Sequence, residues 1–198
     1  MMIWTDIETT GLNYQHCDIL EIAFVVTDND LNVLGHHTEL IPPYSRDTLF
    51  DPNSSEVAFE TAAVAMHEKS GLIKELQTKF SWQDTYYEVY RDRFHTELSR
   101  ADKAMRTFLA SVSEGRKVPL CGSSVHFDRR FLERDFPELM DEFFTHRNID
   151  VSSFKEYFKL LPGYKESSTS RVSTHRALPD CFDSIATMRE LSEHIKFN

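Results

Sequence analysis

Apolar residues alternate with polar ones, or run together, in three early segments, Met2–Ile7, Leu20–Thr27 and Val33–Leu40, and such runs predict strands. The polar DNDLN between the last two reads as a hairpin turn, so the chain opens on an antiparallel unit. PPYSRDTLFDPNSS (Pro42–Ser55) reads as a proline-rich connection, after which Ser55 can cap a helix through about His67 that ends at Gly71. A further helical region, broken once, is expected from about Asp84 to Val112. KVPLCG (Lys117–Gly122) looks like a short buried strand, FDRRFLERDF like a helix, and NIDVSSFKEYFKLL like a brief strand, a serine cap and a helix. The polar KESSTSRVST (Lys165–Thr174) is expected to be a mobile loop. Pro179 suits the first turn of a last helix with an apolar stripe of Phe182, Ile185, Met188, Leu191 and Ile195. Three strands, then helices interleaved with single strands, predict a mixed α/β sheet.

Composition bounds this picture. With 198 residues, 40% of them hydrophobic, a single domain spanning 1–198 is expected. A net charge of −10 argues against a general nucleic-acid coat protein, which would carry a basic face. It leaves room for a nuclease, because divalent ions in an acidic site invert the local sign. The chain lacks an apolar run long enough for a membrane span and an N-terminal signal pattern, so a cytoplasmic protein is expected. Cys17, Cys121 and Cys181 lie far apart without a CxxC pair, which fits reduced core thiols.

Candidate chemistry begins with Asp6 and Glu8. Two residues apart on a strand, they point to one face, and like charges held that close call for a cation between them. Alone, the pair would also suit a solvated strand end. Asp128 in CGSSVHFDRRFL, Asp180 in HRALPD and His175 five residues before it complete the group. Each has a bland alternative: a surface salt-bridge cluster for Asp128, a complement to the helix dipole for Asp180, and an idle loop residue for His175. Asp28, Asp30, Asn32 and Glu39 mimic the spacing of a calcium loop, but Val33 stands where that loop needs glycine, and the segment reads as a hairpin.

DIETTGL, FDRRFL and HRALPD together resemble the three motifs of the DEDDh 3′-to-5′ exonucleases, which have a ribonuclease H-like fold. MHEKSGL (Met66–Leu72), CGSSVHFDRRFL and HRNIDVSSFKEY are similar to segments of the oligoribonuclease family, so the resemblance spans nearly the whole chain. It implies an enzyme that trims very short single-stranded RNAs from the 3′ end, as a homodimer, with two divalent ions, Mg²⁺ or Mn²⁺, per site. Asp6, Glu8, Asp128 and Asp180 would be the metal ligands, and His175 the general base, an imidazole being suited to proton transfer near neutral pH. The resemblance further implies that Leu12 is an apolar wedge between terminal bases, with the backbone of Thr9 and Thr10 near the 3′ end, and that His67 touches the substrate near its 5′-phosphate end. It makes Ser124, Arg147, Ser152 and Ser153 a cap for the 5′ phosphate. The residues alone leave alternatives open: Leu12 as core, His67 as a helix-end residue, Ser124 as part of a turn, Ser152 and Ser153 as helix caps, and Arg147 paired with Asp150 or Glu142.

Three spellings depart from the family. ETTGL has threonine where oligoribonucleases have methionine. The tryptophan expected near Ala62 is missing. His146 replaces the tyrosine before RN, and imidazole offers a base less stacking area than phenol. The expectation is therefore a 3′-to-5′ exoribonuclease of short RNAs releasing nucleoside 5′-monophosphates. The rivals are a related exonuclease of single-stranded DNA and a nucleotide-binding protein of the same fold without turnover.

Overall fold

A computed structural model describes residues 1–43, 61–80, 87–164 and 174–195. Five strands, β1 (Met2–Thr9), β2 (Ile19–Thr27), β3 (Val33–Leu40), β4 (Val118–Gly122) and β5 (Phe144–Asp150), form one sheet in the order β3-β2-β1-β4-β5. The first three are antiparallel, as the hairpin pattern predicts, and β4 and β5 add in parallel beyond β1. Parallel pairing puts the carboxyl ends of β1, β4 and β5 on one side, and ligands of open α/β sheets collect at such ends. At the hairpin, Asp28 Oδ1 accepts the backbone N–H groups of Asp30 and Asn32 at 2.9 and 2.8 Å. That carboxylate builds the turn, in keeping with the rejection of a calcium loop.

Among the described residues the helices are α1 (Thr61–Ser70), α2 (Leu72–Phe80), α3 (Tyr87–Ser113), α4 (His126–Asp135), α5 (Pro137–Phe143), α6 (Val151–Lys159) and α7 (Ala177–Ser192). The two-residue period of β1 splits the core. Ile3 and Ile7 face α3, α4 and α5, packing with Met105, Leu109, Phe131 and Leu139. Trp4 faces α6 and α7 with Ala23, Val25, Cys121, Phe158, Cys181 and Ile185. Every residue of β2 is buried, because this inner strand is covered on both faces.

Several elements differ from the sequence reading. Gly71, at φ +79°, joins α1 to a further helix, α2, whose Leu72, Ile73, Leu76 and Phe80 bury one face. Helix α3 is continuous over 87–113, without the expected break. Pro137 at the first position starts a separate α5. Helix α6 is capped by Asp150, whose side chain accepts the Ser152 N–H, and not by a serine. On α7, Ala177 and Cys181 join Ile185 and Leu191 at the inward positions, while Phe182 is 37% exposed, and Ile195, 40% exposed, lies past the helix end. The proline-rich connection from 44 on, the Ser55 cap and the polar loop over 165–173 lie outside the described residues. All three cysteines are buried free thiols, as expected.

Gly122 ends β4 beside β1. A Cβ there would stand 2.6 Å from the Thr5 carbonyl oxygen and 3.1 Å from Val125 Cγ2. Backbone cannot yield as a flexible side chain can, so Gly122→Ala is expected to destabilise the fold by about 1–3 kcal/mol. Thermal unfolding checks this, and an unchanged midpoint would contradict the close strand contact.

Candidate active site

Asp6 and Glu8 project from β1 to the α7 face, opposite Ala23 and Glu21 on β2. Helix α7 approaches this face through small residues, with Cys181 Sγ 3.7 Å from the Ala23 carbonyl. The approach brings Asp180, in the first turn of α7, over the two strand carboxylates. One oxygen from each of Asp6, Glu8 and Asp180 lies within 4.8 Å of the other two. Glu8 is buried, and Asp6 and Asp180 are half-buried.

Asp128, on α4, is a close neighbour with a different anchor. The β1–β4 ladder covers only Ile3 and Trp4, and Asp128 Oδ1 accepts the Ile7 N–H beyond its end at 3.0 Å. Asp128 is itself buried. Its carboxylate is thus tied to the backbone between Asp6 and Glu8. The cluster of three and this fourth acid unite all four acidic positions singled out in the sequence.

Their charges oppose one another. Burial pushes Asp6 well above the usual carboxylate range, and the charges of Asp128, Glu8, Asp180 and Glu21 add to the shift. Glu8 rises to about 8, again through burial first and then Asp180, Glu21 and Asp128, with the Arg176 guanidinium pulling the other way. Burial raises Asp128 to about 7 against the opposing pull of its backbone hydrogen bonds. Close-set carboxylate oxygens with so little positive charge supplied by the polypeptide are the donor set that hard divalent cations require. The residues therefore fit the metal role.

His175 is exposed, two residues before α7, with a left-handed backbone at φ +52°. His67, expected near the 5′-phosphate end of the substrate, is instead fully buried beneath the end of β1, against Thr9 and Glu8. Its Nε2 donates to the Thr9 carbonyl at 2.8 Å, which leaves the Nδ1 lone pair facing Glu8 Oε2 at 3.7 Å. Burial holds this imidazole below its ordinary range. In the loop after β1, Thr10 Oγ1 accepts the Asp18 N–H at 2.9 Å and the Thr10 N–H returns to the Asp18 carbonyl at 2.9 Å. Arg134 donates to the carbonyls of Tyr14 and Cys17. This clamped loop holds Leu12 out, 72% exposed, so the core alternative for Leu12 does not hold.

A second pole forms where β4 and β5 end. Asp150 Oδ1 accepts the N–H groups of Ser124 and Ser152 at 3.0 and 2.9 Å, and the two serine hydroxyls lie 3.1 Å apart. Ser124 combines this contact with a left-handed turn at φ +53°, so turn and hydroxyl display coexist. Ser153, His146 and Arg147 are exposed nearby in sequence, the last two on edge strand β5. Arg129 Nη2 donates to the carbonyls of Thr145 and Arg147, at 2.9 and 3.2 Å, fixing the strand on either side of His146. Glu142, a suggested partner of Arg147, pairs with Arg106 at 2.7 Å.

Two residues that sequence reasoning passed over are Glu21 and Arg176. Glu21 is 2% exposed and holds the Arg176 guanidinium through both oxygens, at 2.9 and 3.0 Å. The signal was present: a single carboxylate inside the apolar run ILEIAFVV requires a partner.

The chain matches the model of the RNase T exonuclease family over residues 3–84 and 87–188. It is 34% identical over 193 residues to an oligoribonuclease of Neisseria meningitidis serogroup C, covering 98% of this chain and 91% of that one. An oligoribonuclease of Dichelobacter nodosus is 34% identical over 197 residues, covering 100% and 96%. Among solved structures, exonuclease I of Methylocaldum szegediense shares the fold at a TM-score of 0.62 and 14% identity over 98% of this chain. A single-stranded DNA complex of E. coli exonuclease I does so at 0.56 and 14% over 97%. This chain spans 40% of each of those two longer chains.

The raised carboxyls set a sign for stability. Folded Glu8 and Asp128 keep protons that the unfolded chain releases near pH 4. Their contribution is complete below that pH and is lost as the pH rises through about 7 for Asp128 and about 8 for Glu8. A divalent cation bound by these carboxylates would replace those protons, so Mn²⁺ is expected to raise the unfolding midpoint by on the order of 5 °C at pH 8 and by much less at pH 5. Equal gains at both pH values, or none, would remove the cluster from consideration as a cation site.

Proposed function

The chain belongs to the RNase T exonuclease family and, within it, to the oligoribonucleases. From that premise we propose that it hydrolyses short single-stranded RNAs from the 3′ end, releasing nucleoside 5′-monophosphates. The observation that carries this reading is the convergence of Asp6, Glu8 and Asp180 within 4.8 Å, with Asp128 buried beside them. The full-length similarity to oligoribonucleases at 34% identity favours RNA over the DNA of the more distant exonuclease I.

Asp6, Glu8, Asp128 and Asp180 would hold two divalent cations, Mg²⁺ or Mn²⁺, which when bound supply activation of water and neutralisation of the leaving 3′ oxygen. His175 takes the proton of the attacking water, and its exposed place before α7 lets substrate reach it. Leu12, held out on its clamped loop, wedges against the terminal bases. His67 acts from below, fixing Thr9 and facing Glu8, next to the strand end where the 3′ nucleotide sits.

The paired hydroxyls of Ser124 and Ser152, with Ser153 and Arg147, take the 5′ phosphate through charge-assisted bonds, and His146 stacks on a base. Strands β1 and β5 are two spacings apart, roughly 10 Å, so the two poles suit a short strand held by both its ends. The same reading includes a homodimer, with Phe154, Tyr157, Leu160 and Leu161, all exposed on α6 or just after it, as the surface for a second copy. We place the protein in the cytoplasm, where buried thiols stay reduced.

The test is a ladder of 5′-labelled RNAs of two to about ten nucleotides with Mg²⁺ or Mn²⁺, beside matching DNAs. Turnover is expected to be fastest for the shortest RNAs. Asp180→Asn and His175→Ala are each expected to lower kcat by about 10²–10⁴-fold. Leu12→Ala, at an exposed position, should weaken KM by up to about tenfold without lowering the unfolding midpoint. Preference for DNA or long strands would move the protein to general exonuclease activity, and no hydrolysis would leave a binding protein.

A further inference from the structure

The last helix is tied to the sheet by a buried carboxylate that the chemistry above does not use. Glu21 stands opposite Glu8 in the β1–β2 register, and its oxygens are taken by groups from the start of α7. Oε1 accepts Arg176 Nη2 at 2.9 Å, and Oε2 accepts Arg176 Nε and the Ala177 backbone N–H, each at 3.0 Å. Arg176 Nη2 also reaches Glu75 Oε2 on α2 at 2.6 Å, so strand β2 and helices α2 and α7 meet at one guanidinium.

Two physical features make this more than a surface ion pair. The residue preceding α7 is Arg176 itself, in extended backbone, and its side chain offers no acceptor for the donors of the first turn. Glu21 supplies that acceptor from another element, and its negative charge sits at the positive end of the helix. The two-pronged guanidinium contact then fixes orientation as well as distance, which a single contact would not. The anchored residue lies directly between two parts of the site. His175 precedes it, in a left-handed conformation that a non-glycine residue adopts only at a cost. Asp180 follows by four residues, and its N–H donates to the Arg176 carbonyl at 3.1 Å.

We propose that Glu21 and Arg176 are positioning residues, a latch that sets His175 and Asp180 against the carboxylates of β1. The proposal rests on the exonuclease reading for its kinetic arm and is independent of it for its structural arm. It deepens that reading by assigning the geometry of the base to two residues that need not touch substrate.

The structural arm is amide hydrogen exchange in the full-length protein, comparing wild type, Arg176→Ala and Glu21→Gln. Both variants are expected to speed exchange at Ala177 and Asp180 at least about tenfold while Ile185 and Leu191 keep their protection, since local opening follows loss of local bonds. The kinetic arm is hydrolysis of a short RNA with Mn²⁺. Here Arg176→Ala is expected to lose kcat by about 10–100-fold with KM changed less than about threefold, because misplacing a catalytic group by about 1 Å costs that much. Arg176→Lys should recover part of the rate, and free guanidinium at non-denaturing concentration should partly rescue Arg176→Ala but not Glu21→Gln.

Faster exchange along the whole of α7, or equal losses in wild-type-like kcat and KM ratios, would mean a tether for the fold and would overturn the latch. Unchanged exchange and unchanged kcat would overturn it as well. If wild type hydrolyses no RNA, the functional reading fails and the exchange pattern alone decides the latch. If Arg176→Ala does not fold, Glu75→Ala removes only the outer, half-exposed tie. Faster exchange confined to Ala177 and Asp180 in that variant supports the latch, and none overturns it.

Discussion

Mutual repulsion among carboxylates at the carboxyl end of β1 is the constraint to which the surrounding structure answers. Three acidic oxygens within 4.8 Å, a fourth acid buried against Ile7 and a fifth across the strand pair would not stay together as bare anions. The polypeptide neutralises Glu21 with Arg176 and gives Asp128 a backbone donor, yet leaves Asp6 and Glu8 with carboxyls that prefer to hold protons. That imbalance is one that a divalent cation would relieve. It is also why the site must be held rigidly by everything around it: relaxed side chains would simply move apart.

The holding is done largely by arginine. Arg134 bonds the carbonyls of the loop that displays Leu12, Arg129 bonds those flanking His146, and Arg176 binds the buried Glu21 at the start of α7. Each guanidinium fixes its segment through several donors. In an acidic chain, this use of cations leaves the carboxylate cluster itself short of positive charge.

Packing completes the arrangement. Ala177 and Cys181 are small enough for α7 to settle on Ala23, and only that close approach lets Asp180 reach the strand carboxylates. Parallel addition of β4 and β5 then carries Ser124 and Ser152 to the same side of the sheet as Glu8. A shared fold at 14% identity with much longer exonucleases shows how little of the sequence this framework demands.

The strands β1 to β3, the hairpin at Asp28 and the acidic positions could be read along the chain, because alternation, turn residues and short carboxylate motifs are local patterns. Helices α2 and α5 escaped notice, since one follows a glycine read as an end and the other a proline inside an apolar stretch. By itself the sequence determined which residues carry charge, which faces they take on β1, and a family resemblance through ordered motifs. Only the tertiary structure decided that Asp128 bonds the backbone at Ile7, that His67 is buried under Thr9 and Glu8, that Leu12 is exposed, and that Glu21 caps a helix more than 150 residues away. The reason is physical: these partners belong to different elements, and their contacts exist only once long-range packing has brought those elements to one end of the sheet.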